Sequence, residues 1–249
     1  MRTEREIIRA ARHLLRQTGD FSIRSVGAEI GLSSQGMYRY VESAEELRAL
    51  VAEEILDAVL AYMGEAADRY SLPQARIAAS SVAFRTWALA NRNEFRHVFT
   101  ASFNMPRSQD PLNSAQRVGA YFAPLFAQLQ AETGFQGPAQ IDPKYAEFAR
   151  EQLSKGPYLE LPGADDLGVL WVFQYVWTRL YGIVAMEAFH QVDEQNIESG
   201  LFFRVTLSEV AQRLGIDQEA LLDEVFEAER RYVGENPGAS QGQGGHQAN

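Results

Sequence analysis

A short polar stretch near the amino terminus carries the side chains best suited to recognition chemistry. Ser33-Ser34-Gln35-Gly36 places small polar groups in succession, directly after the apolar residue Leu32. Hydroxyl and amide groups form hydrogen bonds with the edges of base pairs. A helix that begins with such slim residues can also enter a major groove, which is about 12 Å wide. The stretch therefore predicts a helix that contacts double-stranded DNA.

The residues on either side predict the elements that would position this helix. Ser22 can cap a preceding short helix in which Val26 faces inward. Gly31 ends that helix, because glycine tolerates the positive φ of a tight turn. Ser33 can cap the second helix, which is predicted to extend to about Tyr40. Two short helices joined by such a turn form a helix-turn-helix.

The surrounding sequence resembles a known family. Residues 7–51 are similar to the DNA-binding domain of the TetR family of bacterial repressors, and the resemblance covers about 45 consecutive residues. The features that carry it are Ile7, Ala11, Leu14-Leu15, Gly19, Ser22-Ile23-Arg24, Ile30-Gly31-Leu32-Ser33, Met37-Tyr38-Arg39-Tyr40-Val41, Ser43 and Glu46-Leu47. The resemblance implies a DNA-binding transcriptional regulator that acts as a homodimer, with a small-molecule effector as its second partner.

The resemblance also implies individual roles. Arg24 matches a position that reaches a base edge or a phosphate, and an arginine there can bond guanine O6 and N7. Ser34 and Gln35 match base-reading positions, and Tyr38 matches a tyrosine whose hydroxyl holds a phosphate. The full set of predicted DNA-binding residues is Arg24, Ser33, Ser34, Gln35, Tyr38, Arg39 and Tyr40.

Two positions depart from the family pattern. Ala44 stands where the family usually has a lysine that contacts phosphate, and Val41 stands where it usually has a phenylalanine. The missing lysine leaves two interpretations open. The chain is either a repressor released from a palindromic operator by a small hydrophobic or aromatic ligand, or a helical ligand-binding or scaffold protein with a weakened DNA reader.

The chain beyond about residue 50 supplies many aromatic residues on predicted helices. An apolar pocket with a few polar groups is typical of small-molecule sites. Plain core packing is the alternative for each residue taken alone. The predicted ligand-binding residues are Phe84, Trp87, Phe103, Tyr121, Phe122, Trp171, Tyr175 and Arg179.

A second, shorter resemblance lies near the carboxyl end. Trp177-Thr178-Arg179-Leu180-Tyr181-Gly182, followed by Glu187, resembles a TetR subfamily with a Trp-His-Gly motif, although Tyr181 replaces the histidine. The helix predicted there is apolar nearly all round, which favours burial on more than one side and hence a symmetric dimer. The predicted interface residues are Trp177, Tyr181, Gly182, Phe202 and Phe203.

Composition bounds the function classes. The chain has no cysteine, which excludes disulfides and thiolate metal sites and fits a cytoplasmic protein. Its four histidines are scattered, and no nucleophile elbow or phosphate loop is present, so neither an enzyme nor a metal nor a cofactor is predicted. Residues 1–48 hold eight arginines and seven acidic residues, a net charge of +1. Since the whole chain has a net charge of −10, the remaining residues carry −11. That asymmetry points to nucleic acid at the amino-terminal end.

The predicted fold is all-α. Residues 167–189 are long enough to span a bilayer, but the interior charges of Arg179 and Glu187 favour a buried helix and no membrane. The predicted domains are a three-helix DNA-binding domain with the helix-turn-helix (1–48), a larger helical ligand-binding and dimerisation domain (49–233) and a disordered tail (234–249). Helices of the second domain are predicted near 73–91, 94–102, 111–132, 143–154, 167–191, 196–213 and 217–232.

Overall fold

The computed structural model describes residues 2–101, 114–155 and 167–235. Within these ranges the chain forms twelve α-helices and no strand, which confirms the all-α prediction. The helices are α1 (Arg2–Thr18), α2 (Ile23–Glu29), α3 (Ser34–Met37), α4 (Ala44–Ala67), α5 (Pro73–Ala90), α6 (Arg92–Arg96), α7 (Ser114–Thr133), α8 (Pro143–Lys155), α9 (Leu167–Ala188), α10 (Glu194–Ser199), α11 (Leu201–Arg213) and α12 (Gln218–Glu235). A π-helical turn, His97–Ala101, follows α6.

The chain divides into two compact units. The first comprises Met1–Ala61 and Asn91–Ala120, and the second comprises Tyr62–Ala90 and Tyr121–Asn249. The boundary predicted after residue 48 falls inside α4. Most of the predicted tail lies outside the described residues, and its first two residues, Gly234 and Glu235, end α12.

The first unit contains the helix-turn-helix, with its helix caps and its glycine turn at the residues that the sequence predicts. The Ser22 hydroxyl accepts a hydrogen bond from the Ser25 backbone N–H at 3.1 Å, and the Ser33 hydroxyl accepts one from Gly36 at 3.0 Å. Both predicted caps are therefore confirmed. Gly31 has a φ of +73°, as the tight turn requires.

The core of this unit is formed by one apolar side of each helix. α1 packs on α2, and α2 packs on α3. Since these helices are short, burial of their apolar stripes contributes more to their stability than helix propensity does. The residues that are almost fully buried are Ile7, Ala11, Leu15, Val26, Met37, Val41 and Leu47.

Two predicted helices differ from the structure. The second helix of the reader stops at Met37 instead of Tyr40, because the chain turns there to bury Val41 before α4 begins. The helix predicted over 196–213 is two helices, α10 and α11, separated by Gly200. Gly200 adopts a left-handed conformation with a φ of +63°, which ends α10 as a C-cap.

The second unit is built around α5. Twelve of the eighteen residues of α5 are buried, and α12 packs along it. α9 packs against α5, α8 and α11. Within the described ranges, α9 is the one helix long and apolar enough to cross a membrane. Nine of its residues, including Glu187, are buried in the unit, as expected for a core helix.

The packing of α2 against the turn predicts the effect of a single methyl group. A Cβ atom on Gly27 would lie 2.7 Å from the backbone oxygen of Leu32 and 3.2 Å from Cγ of Met37. Gly27→Ala should therefore destabilise the chain by about 1–3 kcal/mol, the usual cost of overpacking. Gly36→Ala is the matched control, since its Cβ would meet only ordinary contacts at 3.4 Å or more. Equal thermal unfolding midpoints for the two variants would contradict the argument.

Candidate nucleic-acid interface and apolar cavity

The predicted DNA-binding residues all lie on the surface of the first unit. Tyr38 and Tyr40 are 57% and 43% exposed, although large aromatic side chains are usually buried. Met37, the last residue of α3, is fully buried in the core of the unit, as its inward position predicts. The residues that the structure leaves exposed are Arg24, Ser33, Ser34, Gln35, Tyr38, Arg39 and Tyr40. We call this set the reader surface.

The start of α4 gives the neighbouring surface a negative charge. The Ser43 hydroxyl accepts a hydrogen bond from the Glu46 N–H at 3.0 Å, and the Glu46 carboxylate accepts one from the Glu42 N–H. Glu46 takes part in both of these bonds, while the side chains of Glu42 and Glu45 are exposed. With Ala44 in place of a lysine, no cation stands beside these acids on the first turn of α4.

The segment that precedes α2 is held by Arg48 and His97. Arg48 donates hydrogen bonds to Asp20 Oδ1 at 2.8 Å and to the Phe21 carbonyl oxygen at 3.1 Å, and its guanidinium lies 5.1 Å from the Phe21 ring centroid. The hydrogen bond from Arg48 lowers the pKa of Asp20 below its ordinary value. The His97 ring lies 5.5 Å from the Phe21 ring, and its Nε2 is 3.0 Å from the Arg48 carbonyl oxygen.

A buried carboxylate joins α6 to α1 within the same unit. The Glu94 side chain is fully buried and accepts hydrogen bonds from Arg12 Nε at 2.5 Å and Arg16 Nε at 2.7 Å. Asn93 donates a third bond from α6, to the Arg16 carbonyl oxygen at 3.1 Å. Since a buried carboxylate is costly unless it is paired, these bonds hold α6 firmly on α1.

The second unit encloses an apolar cavity of about 30 Å³. Of the described lining residues, only Ser81 and Trp177 carry a polar side-chain atom, and the Ser81 hydroxyl already donates to the Ile77 carbonyl oxygen at 2.8 Å. None of the described residues that line the cavity is charged. The lining residues are Ile77, Ala78, Ser81, Phe122, Phe126, Phe173, Val176, Trp177, Leu180, Leu207, Val210, Leu214, Ile216 and Leu221.

Comparison with known protein families assigns the chain to a family. The family model for the tetracyclin repressor-like C-terminal domain matches residues 77–210, more than half of the sequence. The chain belongs to the TetR family. The predicted family is thereby confirmed, and the chain is a TetR-type regulator. The Trp-His-Gly subfamily stays a prediction.

A solved structure has the same fold. The crystal structure of SCO4313, described as a candidate regulatory protein, superposes with a TM-score of 0.59 at 16% sequence identity. The match covers 84% of this chain and 95% of that chain, and at this identity it shows the fold alone. No curated protein matches the sequence.

The predicted ligand-binding residues of this TetR chain fall into separate groups. Phe122 lines the cavity, and Phe84 is buried with its ring 5.9 Å from that of Trp177. Trp87 is a buried core residue. The hydroxyl of Tyr121 forms a hydrogen bond of 2.8 Å with that of Ser80. Phe103 lies outside the described residues.

The other three predicted ligand-binding residues are not in the cavity. Trp171, Tyr175 and Arg179 line an open groove on the outer side of α9, apart from Phe122. Their role in ligand binding stays a prediction. The Trp171 and Tyr175 rings are stacked 5.2 Å apart, and Arg179 lies 4.9 Å from the Tyr175 ring centroid. Arg179 is exposed and pairs with Glu209 at 2.7 Å, as surface arginines commonly do.

The predicted interface residues also divide between the outside and the inside of the unit. Phe202 is exposed, and Gly182 lies in the groove, with none of the described atoms within 4 Å of its Cβ position. Phe203 is fully buried, and Trp177 is partly buried and lines the cavity. Their assignment to the interface stays a prediction. The ring of Tyr181 is half-buried, 5.7 Å from that of Trp177.

A buried ion pair ties α9 to α5. Arg85 donates to Glu187 Oε2 at 2.6 Å and to the Ile197 carbonyl oxygen at 2.6 Å, while Glu187 Oε1 has no hydrogen-bond partner within the described parts of the chain. Burial raises the pKa of Glu187, and the positive charge of Arg85 opposes that rise. The pair explains how a charged residue occupies the core face of an apolar helix.

Sequence reasoning missed several of these residues. Glu94, His97 and Arg48 form their pairs across long sequence separations, and no local pattern marks them. Two exposed apolar residues, Met186 and Leu201, were detectable only as a second stripe on helices that are apolar on several sides. Among the described residues, no cluster of three or more His, Asp or Glu side chains could hold a metal ion.

The burial of His97 predicts a pH dependence. Burial lowers the pKa of His97 below its ordinary value of 6.5. The hydrogen bond with the Arg48 carbonyl and the charges of Asp20 and Glu94 oppose that fall, whereas the positive charge of Arg48 adds to it. The unfolded chain therefore binds a proton near pH 6.5 that the folded chain still excludes. Stability should fall as the pH is lowered from 7.5 through 6.5 towards the folded-state pKa.

His97→Gln provides the comparison for this measurement. Glutamine keeps an amide donor for the Arg48 carbonyl but does not titrate. The difference in thermal unfolding midpoint between wild type and variant should shift in favour of the variant as the pH falls from 7.5 to 5.5. A difference that is constant over this range would contradict the assignment.

Proposed function

We propose that this TetR-type regulator is a homodimeric repressor that binds a palindromic operator and is released from it by a small apolar effector. The reader surface is the observation that carries the proposal. It presents two exposed tyrosines, two exposed arginines and three small polar residues around a capped helix-turn-helix. A surface of this kind has no role in the core of the unit, and its groups match base edges and phosphates.

The reader surface would divide its contacts by chemistry. Ser34 and Gln35, at the start of α3, would read base edges, and Arg24 would bond guanine or a phosphate. Tyr38 and Tyr40 would fix the register through phosphates, which carry no sequence information. The acids at the start of α4 would weaken sequence-independent attraction, so that binding depends more on base contacts and on the paired readers of a dimer.

The face formed by α9 and α11 supports the dimer. Phe202, Val205 and Met186 are exposed on these helices, and Gly182 leaves space beside them. The same patch on a second copy would bury this apolar surface symmetrically. Two readers held about 34–36 Å apart would then contact half-sites one turn of DNA apart, which predicts a palindromic operator.

The cavity supports an apolar effector. A ligand that binds one arrangement of the dimer more tightly shifts the population towards it, by no more than its difference in affinity. At about 30 Å³ the cavity is far below the roughly 300–1,000 Å³ of formed ligand sites, so an effector would have to enlarge it. Enlargement of the cavity would change the conformation of the second unit, and release of the operator by an effector requires such a change.

DNA selection followed by sequencing tests the proposal and yields the operator. On the selected DNA, Tyr38→Phe and Arg24→Ala should each weaken binding by about 1–3 kcal/mol in a fluorescence anisotropy titration. Arg230→Ala, which removes an exposed arginine from α12, is the control and should bind as the wild type does. Selection that enriches no sequence, or equal affinities for all four proteins, would favour the alternative of a helical ligand-binding or scaffold protein.

Gly182→Leu tests the dimer face. The described part of the chain leaves space for the new side chain, so the monomer should fold normally, while a partner helix packed there would be displaced. Sedimentation should show a shift from dimer to monomer. Gln128→Leu adds the same side chain at an exposed position on α7 and should leave the assembly unchanged. An unaltered dimer in both variants would place the interface elsewhere.

A further inference from the structure

Part of the wall of the apolar cavity is built by residues beyond the matched family domain. The family model stops at residue 210, yet Leu214, Ile216 and Leu221 line the cavity. Leu221 is the contribution of α12, and it is 4% exposed. These three residues of the wall therefore lie beyond the matched range.

Local structure fixes the position of Leu221. Gly215 turns the chain after α11 with a φ of +68°, and Asp217 Oδ1 caps α12 by accepting a hydrogen bond from the Ala220 N–H at 2.9 Å. α12 then buries one stripe, Leu221, Val225 and Ala228, while it packs along α5. Only the first residue of this stripe reaches the cavity.

The chemistry of the lining selects the class of molecule. Among the described lining residues, the one hydroxyl, that of Ser81, is bonded within its own helix, and no side chain carries a charge. A carboxylate or ammonium group placed there would lose its hydration without compensation. An uncharged hydrocarbon surface loses nothing comparable and gains the contacts of Phe122, Phe173 and Trp177.

We infer that Leu221 of α12 forms part of the cavity wall and limits the size of the uncharged apolar molecule that the cavity binds. The inference rests on the cavity being the effector site of the proposed function. Shortening the Leu221 side chain enlarges the cavity on the side of α12, whereas shortening Val225 on the same stripe does not, because Val225 does not line the cavity.

The test compares two alanine variants of α12 in the absence of DNA. Benzene, n-butylbenzene and benzoate are titrated calorimetrically into the full chain, into Leu221→Ala and into Val225→Ala. Leu221→Ala should bind n-butylbenzene about ten-fold tighter than the wild type, because the added methylene groups find space. Val225→Ala loses buried atoms from the same stripe but should keep the wild-type preference. Benzoate should bind to none of the three.

Several outcomes would overturn the inference. These are equal n-butylbenzene affinities for Leu221→Ala and wild type, the same gain in Val225→Ala, and benzoate binding comparable to that of n-butylbenzene. If Leu221→Ala does not fold, as judged by circular dichroism, Leu221→Val replaces it and should show a smaller gain. Since no DNA is present, these results are independent of operator binding, and a chain that passes this test but selects no operator refutes only the proposed function.

Discussion

The buried carboxylate of Glu94 is the constraint on which the amino-terminal unit depends. It has no exposure to water, and its two arginine partners, Arg12 and Arg16, lie one turn apart on the same helix. Removing one partner from such a pair costs roughly 3–5 kcal/mol, because the remaining charge stays buried. The pair therefore makes α6 part of the unit that presents the reader surface, even though about eighty residues of chain separate Glu94 from α1.

The same segment fixes the approach to the reader. His97 follows Glu94 by three residues and contacts both Phe21 and the Arg48 carbonyl. Arg48 in turn holds Asp20 and the Phe21 carbonyl, directly before the Ser22 cap of α2. The orientation of α2 is thus determined by side chains from α4 and from residues 94–97, in addition to its own capping residues. A change in this network would be felt at Arg24, only three residues from Phe21.

The features that the sequence predicts correctly are those set by residues close together in the chain. The caps at Ser22 and Ser33 act over three residues, and the glycine turn acts over one, so their positions were predictable and are confirmed. The faces of α9 were not predictable, because that helix is apolar on nearly every side. Trp171 and Tyr175 face the groove, whereas Phe173 and Trp177 face the cavity. Phe202 and Phe203 show the same difficulty, since adjacent helix residues point about 100° apart and only one of them faces solvent.

The three tryptophans lie in three different environments, so their intrinsic fluorescence can report on three different parts of the second unit. Trp177 lines the cavity, Trp171 lies in the groove in contact with Tyr175 and the guanidinium of Arg213, and Trp87 is buried in the core. Indole emission responds to the polarity and to the quenching groups around each ring. Filling of the cavity, covering of the groove and loss of the core therefore change the emission of different residues, and single-tryptophan variants can separate the three events without any added label.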